Sequence, residues 1–135
     1  MHTNESAWIT SILTLTNKAR ADNGLPPVSL GSPAAQTAAR IRSEEIVAKF
    51  DHVRPDGRSC FTALSDQGVG FTAAGENIAA GYSTPESIFA GWMASPDHRD
   101  NILRTGWTNM AVGYARSDSS EYIHYGVQLF YTSTP

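Results

Sequence analysis

The stretch AAGENIAAGY, residues 73 to 82, places a glutamate and an asparagine among small and apolar residues. Glu76 is its one carboxylate, and its alanine and glycine neighbours offer little bulk to shield or solvate a charge. A carboxylate placed beside histidines acts as a metal ligand or as a base. The first question that the sequence raises is therefore what Glu76 faces.

Two histidines are candidates to share its surroundings. His52 follows the second predicted helix, and His98 is predicted in the first turn of a helix that begins at Ser95. Unpaired backbone N–H groups in a first turn disfavour an imidazolium, although the neighbouring Asp97 favours one. A neutral imidazole can bind a metal ion or accept a proton.

Together, Glu76, His52 and His98 allow more than one kind of site. Imidazole and carboxylate groups both ligate zinc-like ions, but the same three side chains can form a hydrogen-bonded polar network in a core. No His-Glu-x-x-His, Cys-x-x-Cys, EF-hand, Gly-x-Ser-x-Gly or P-loop pattern concentrates ligands or nucleophiles locally. The spacing alone does not choose between these alternatives.

A fourth candidate is Glu45, near the end of the second predicted helix. It precedes His52 by seven residues, about two helical turns, so both side chains can project toward one side. Two interpretations stay open: Glu45 orients His52, or it pairs with Arg42 or Arg54 in an ion-paired face.

Composition limits the class of protein and of partner. The chain has 135 residues, of which 41 % are hydrophobic and 17 % charged, which is typical of one globular domain rather than a disordered chain. The net charge is −3 and no basic cluster occurs, so we expect no nucleic-acid partner. No apolar run is long enough to span a membrane, and no signal peptide is visible. The single cysteine, Cys60, permits no disulfide within the chain and is predicted to be a small buried residue.

Helical signals dominate the first three quarters of the sequence. Apolar residues recur at helical spacing from Trp8 to Ala19, and Ser32 followed by Pro33 is a helix start. Thr84 with Pro85 repeats that start signal, and so does Ser95 with the proline after it. A short helix is predicted within residues 60–67.

Alternating patterns follow at residues 110–115 and 123–131, separated by a polar segment. They predict two strands of an antiparallel hairpin. Helices followed by strands indicate an α+β fold.

Four segments in this order resemble the bacterial branch of the CAP superfamily, named for cysteine-rich secretory proteins, antigen 5 and pathogenesis-related 1 proteins. The Gly-Glu-Asn-Ile motif followed by Trp-Met and His-Arg-x-Asn-Ile-Leu makes the likeness specific. It covers nearly the whole chain, in the segments LTNKARADNGLPPVSL, FDHVRPDGRSCFTAL, AGENIAAGYSTPESIFAGWMASPDHRDNIL and MAVGYARSDSSEYIHYGVQLF.

The resemblance implies one CAP (SCP-like) domain over residues 1–135, an α-β-α sandwich with a small central antiparallel sheet. It implies a central cleft lined by Glu76, His52 and His98, able to hold a divalent cation such as zinc, calcium or magnesium on those three residues. Animal and plant members of the superfamily usually carry a second cleft glutamate shortly after the tryptophan of the helix, near the place of Ser95 here, and Glu45 is a candidate substitute. Ser95 and Glu45 are therefore also expected at the cleft.

Three functions are compatible with this resemblance. The first is a non-enzymatic, secreted or cell-envelope module that binds a small ligand, a lipid or a protein through the cleft. The second is a metal-dependent or histidine-assisted hydrolase, resembling proposed protease activities in the family. The third is a structural domain whose polar residues fix the core. We expect an extracellular or envelope location and a monomer or weak dimer.

Overall fold

The computed structural model describes the backbone of residues 2–135 and the side chains from residue 5 onward. Within residues 2–135, five helices and four strands follow one another. In order they are α1 His2–Asp22, β1 Ser29–Leu30, α2 Pro33–Ala48, α3 Thr62–Asp66, β2 Phe71–Ala80, α4 Pro85–Ala94, α5 Pro96–Ile102, β3 Asn109–Arg116 and β4 His124–Ser133.

One four-stranded sheet, in the order β1-β3-β4-β2, runs through the middle of the molecule. The predicted hairpin is confirmed, because β3 and β4 pair antiparallel. Strand β2 adds to β4, also antiparallel, and forms an edge of the sheet. The two-residue β1 pairs parallel with β3, so the antiparallel sheet that we expected carries one short parallel edge.

Helices cover both faces of this sheet and enclose a separate apolar cluster on each. Helices α2 and α3 pack on one face through residues such as Ala38, Ile46 and Leu64. Helices α1, α4 and α5 pack on the other, where Ile12, Trp92 and their neighbours meet the sheet. The predicted α-β-α sandwich is confirmed. No helix among residues 2–135 combines the length and apolarity needed to cross a membrane.

Two of the three predicted helix starts carry side-chain caps. Ser32 accepts a hydrogen bond from the backbone N–H of Ala35 at the start of α2. Thr84 and Ser87 form a reciprocal capping box at the start of α4. Ser95 precedes α5, but its side chain does not cap that helix.

A close contact between α2 and β3 fixes the helix over the sheet. A Cβ atom at Gly113 would collide with the carbonyl oxygen of Ala39, so only glycine allows this approach. Along the same helix, the buried face continues to an arginine: its buried positions are Ala35, Ala38, Ala39, Arg42, Ser43 and Ile46. The contact thus holds a charged side chain directly above the sheet.

Candidate functional site

Strand β2 sends the two polar residues of its Gly-Glu-Asn sequence to opposite faces of the sheet. Glu76 lies opposite Leu129 on β4 and points toward α2, whereas Asn77 lies opposite Gln128 and points toward the other layer. Successive side chains of a strand alternate in this way. Two separate polar networks therefore begin at adjacent residues.

On the α2 face, Glu76 forms a bidentate ion pair with Arg42. The Nε of Arg42 lies 2.7 Å from Oε2 of Glu76, and Nη2 lies 3.0 Å from Oε1. The side chains of Arg42 and Glu76 are 0 % and 1 % exposed. Burial opposes charge on the guanidinium, but hydrogen bonds to Glu76 and Glu45 outweigh it and raise the pKa of Arg42. The arginine is the permanent counter-ion of the buried carboxylate.

The remaining donors of Arg42 extend this network to the surface. Nη1 donates to Oε1 of Glu45 at 2.8 Å, and Nη2 donates to the carbonyl of Asp51 at 2.8 Å. Arg54 binds Glu45 from the other side with two of its nitrogens and also donates to Asp66. Of the two interpretations of Glu45, the ion-paired one agrees with the structure: it bridges two arginines and makes no hydrogen bond to His52 within the described side chains.

His52 is attached to the same carboxylate from the solvent side. Its Nδ1 lies 2.8 Å from Oε1 of Glu76, and 56 % of its side-chain surface is exposed. The hydrogen bond with Glu76 raises the pKa of His52 above its ordinary value, against the opposing effects of burial and of Arg42. A ring that donates from Nδ1 to Glu76 leaves Nε2 free for a ligand, an ion or a proton.

A cleft of about 430 Å³ opens beside the edge strand β2. Its wall includes His52, Cys60, Phe61, Gly75, Glu76 and Asn101. Gly75 has Trp107 packed against it, and a Cβ there would lie 3.0 Å from the indole ring. The cleft lies along the outer side of β2, which has no partner strand there because β2 is at the edge of the sheet. At Gly75 the strand also passes close to Trp107.

Cys60 lies in this cleft beside the histidine and the glutamate. One ligand atom from each of His52, Cys60 and Glu76 lies within 4.8 Å of the other two. The prediction that Cys60 is a buried free thiol is confirmed, because it is 3 % exposed and unpaired. Burial, and then the charge of Glu76, raises the pKa of Cys60 to about 12, so it is a thiol at neutral pH. No motif in the sequence joins Cys60 to His52 and Glu76.

His98 and Ser95 form a neighbouring pair. Nδ1 of His98 lies 2.8 Å from Oγ of Ser95, which explains why Ser95 does not cap α5. Burial, and then the charge of His52, lowers the pKa of His98, while Asp97 opposes the shift. The two histidines are thus electrostatically coupled, but His98 lies outside the cluster of His52, Cys60 and Glu76.

The second network starts at Asn77 and crosses the opposite layer. Its amide donates to Gln128 at 3.1 Å and to the carbonyl of His98 at 3.2 Å. Gln128 continues to Thr16 on α1, and Asn101 donates to Oδ1 of Asn77 at 3.0 Å. This network ties α5, which carries His98 and Asn101, to the strand that carries Glu76.

The pairing of Arg42 with Glu76 was not predicted from the sequence. The two residues are 34 positions apart, and no local motif joins them. A signal was present in α2, where Arg42 follows Ala35, Ala38 and Ala39 at helical spacing on the face that turned out to be buried. A charged residue in an apolar stripe requires a buried partner.

Comparison with known proteins identifies relatives over most of the chain. The sequence model of the "CAP: Cysteine-rich secretory protein family" matches residues 13–130. The uncharacterized protein YkwD of Bacillus subtilis is 38 % identical over 116 residues, which cover 84 % of this chain and 45 % of YkwD. The chain therefore spans less than half the length of this relative.

Solved structures share the fold. An extracellular protein of Bacillus anthracis that contains an SCP domain superimposes with a TM-score of 0.83 at 28 % identity, covering 96 % of this chain and 41 % of that one. An outer surface protein of Borrelia burgdorferi superimposes with a TM-score of 0.75 at 16 % identity, covering 93 % and 92 % of the two chains. The second likeness concerns the fold alone.

Proposed function

The chain belongs to the cysteine-rich secretory protein (CAP) family, and from this premise we propose that its cleft is a non-enzymatic binding site. The observation that carries the proposal is the attachment of His52 to a buried, charge-compensated carboxylate at the cleft wall. Such a carboxylate–histidine pair fixes the ring and presents its second nitrogen. The hydrogen bonds of Arg42, Glu76 and His52 therefore position the imidazole ring of His52 at the cleft wall.

A divalent cation is one ligand that this arrangement fits. His52 and His98 would supply imidazole nitrogens, and among the described side chains Oε2 of Glu76 accepts one hydrogen bond, from Arg42, which leaves it a lone pair. Imidazole suits zinc and similar ions better than calcium or magnesium. Bound there, an ion would supply positive charge to an anionic ligand group.

The cleft wall also suits the organic part of a ligand. Val53 and Phe61 line it together with Ala74, whereas His52 and Asn101 provide polar groups. An amphipathic small molecule, a lipid or an extended segment of a partner protein has both kinds of surface. These classes are the partners that we propose, for a monomer or weak dimer whose residues 1–135 form one domain.

Hydrolysis is less well supported by this geometry. Arg42 donates hydrogen bonds to both oxygens of Glu76, and one of them also contacts His52, so the carboxylate is held as the partner of these two side chains. The thiol of Cys60, with its pKa of about 12, is a poor nucleophile at neutral pH. A structural role has a specific observation in its favour, the complete burial of the Arg42–Glu76 pair, and it is compatible with binding.

An extracellular or cell-envelope setting is part of the proposal. It is supported by the Bacillus anthracis protein, which is described as extracellular and contains an SCP domain. The chain covers less than half the length of the two Bacillus relatives. Any activity or partner of a whole protein of that length is therefore also a proposal.

Calorimetric titration of zinc into chelator-stripped protein tests the binding site. We expect one-site saturable heat that is lost in His52→Ala and weakened in His98→Ala. His124→Ala is the matched control, since His124 is half-buried and hydrogen-bonded to Tyr114, outside the cleft. Equal heat in all variants would contradict a cleft site. The absence of heat in wild-type protein would remove the cation and leave organic ligands to be screened.

A further inference from the structure

We propose that Cys60 is a metal ligand and that the cleft selects thiophilic divalent cations, with zinc as the representative, over calcium and magnesium. This inference rests on the proposed cation site and assigns its chemistry. It places the ion among Cys60, His52 and Glu76, the three residues whose ligand atoms the fold brings together. His98 then lies beside the site rather than in its centre.

The positions of the three side chains support this assignment. Their ligand atoms lie within 4.8 Å of one another, and all three residues line the same cleft. Zinc bonds of about 2.3 Å to sulfur and about 2.0–2.2 Å to nitrogen and oxygen require ligand atoms roughly 3.3–3.5 Å apart in a tetrahedron. Side-chain rotations therefore have to move the outer atoms by about 1 Å, and the side chain of His52 is the most exposed of the three.

The charges around the cluster also suit an ion with a thiolate ligand. Coordination replaces the S–H bond of Cys60 by a sulfur–metal bond and releases that proton to solvent. The thiolate and the carboxylate of Glu76 contribute two negative charges, and buried Arg42 contributes one positive charge. A divalent cation brings the total to +1, which leaves the fourth position attractive to water or an anionic group from the cleft.

The ligand types determine the selectivity. Thiolate and imidazole are soft and intermediate ligands that favour zinc and cobalt(II), whereas calcium and magnesium require mainly oxygen ligands. Within the described side chains, the cluster offers one carboxylate, and Arg42 already neutralises it. A calcium or magnesium ion would therefore gain little from this site.

Cobalt(II) titration followed by absorption spectroscopy tests the role of the sulfur directly. Wild-type protein is expected to develop a sulfur-to-cobalt charge-transfer band that saturates at one equivalent, that zinc abolishes, and that excess calcium or magnesium leaves unchanged. Cys60→Ser should lose the band, and His98→Ala should keep it. In weakly buffered solution, wild-type protein should release one more proton per zinc than Cys60→Ser.

The outcomes separate this inference from the proposed function. Saturable cobalt or zinc binding without a charge-transfer band, abolished by His52→Ala but unaffected by Cys60→Ser, would overturn the role of Cys60 and preserve the cation site. The absence of cobalt and zinc binding would overturn both. Cys60→Ala serves as a second variant, and circular dichroism of each variant verifies folding, because Cys60 is 3 % exposed.

Discussion

Arg42 and Glu76 meet through two parallel hydrogen bonds of 2.7 and 3.0 Å in the interior of the protein, one residue on a helix and the other on an edge strand. Each residue compensates the charge of the other, but Arg42 has a second permanently charged partner and Glu76 does not. Arg42 also binds the carboxylate of Glu45, whereas the other charged partner of Glu76, His52, loses its charge when it deprotonates. Loss of Arg42 therefore leaves Glu76 with less charge compensation than Arg42 keeps when Glu76 is lost.

Replacement of either partner should reveal this inequality. Arg42→Met leaves a buried carboxylate and should lower the free energy of unfolding by about 3–5 kcal/mol. Glu76→Gln leaves Arg42 paired with Glu45 and should cost less, about 1–3 kcal/mol. Urea unfolding at neutral pH measures both values.

The matched control for this pair lies on the same helix. Arg40 forms an ion pair with Glu5, but 42 % of its side chain is exposed. Arg40→Met should therefore change stability by no more than about 1 kcal/mol. If Arg42→Met and Arg40→Met cost the same, the buried pair does not stabilise the fold in the way proposed.

His52, in the cleft wall, and the neighbouring His98 should give the stability of the protein opposite dependences on pH. The pKa of folded His52 is raised, so its contribution is complete below the unfolded value of about 6.5 and disappears as the pH rises through the folded pKa. The pKa of folded His98 is lowered, so it penalises folding as the pH falls from about 6.5 through the folded pKa.

Single variants separate these effects. Between about pH 8 and pH 5, His52→Gln should lose more stability than wild-type protein does, and His98→Gln should lose less. Urea unfolding across this range, with His124→Gln as control, provides the comparison. Parallel curves for the His52 and His98 variants would show that the opposite pKa shifts are absent.

Asn77 should both stabilise the fold and hold His98 in position. Asn77→Ala removes the acceptor of the Asn101 amide and a donor to both Gln128 and the carbonyl of His98. We expect a loss of at least about 1–3 kcal/mol, the cost of one unsatisfied buried group. The ring resonances of His98 should shift in NMR spectra. Unchanged resonances would mean that the network does not position α5.

Ser95 should affect cation binding without being a ligand. Its Oγ lies 2.8 Å from Nδ1 of His98 and orients the ring. Because His98 lies beside the proposed site rather than in its centre, Ser95→Ala should weaken zinc binding by no more than about 10-fold, the lower end of the effect of losing the orienting partner of a ligating histidine. Calorimetry beside Ser87→Ala, a serine of the α4 cap, measures the difference. Equal affinities would assign Ser95 a local structural role only.

Local signals were sufficient to predict much of the fold. Proline after a serine or threonine located the starts of α2 and α4, and alternation located β3 and β4. Strand β2 gave no such signal, because alanine and glycine make up much of it and neither favours strands. Its extended conformation is set by pairing with β4, a long-range contact.

The same distinction applies to the site. The types of residue alone made Glu76, His52 and His98 candidates for the site. The ion pair with Arg42 and the proximity of Cys60 depend instead on how α2 and β2 pack. Helix α1 offers a parallel case, since its buried stripe runs through Trp8, Ile12 and Thr16 to Arg20. In both helices, an arginine at helical spacing from buried residues finds hydrogen-bond acceptors inside the protein.

The position of β2 at the sheet edge also has a consequence for biosynthesis. Its one strand partner is β4, which begins at His124, long after β2 ends at Ala80. During translation, or during passage of an extended chain through a translocation pore, Glu76 emerges well before the strand that will hold it. The cleft can therefore be completed only after β4 has left the ribosome or the pore, so the ligand binding proposed for it would be a late event in the maturation of the chain.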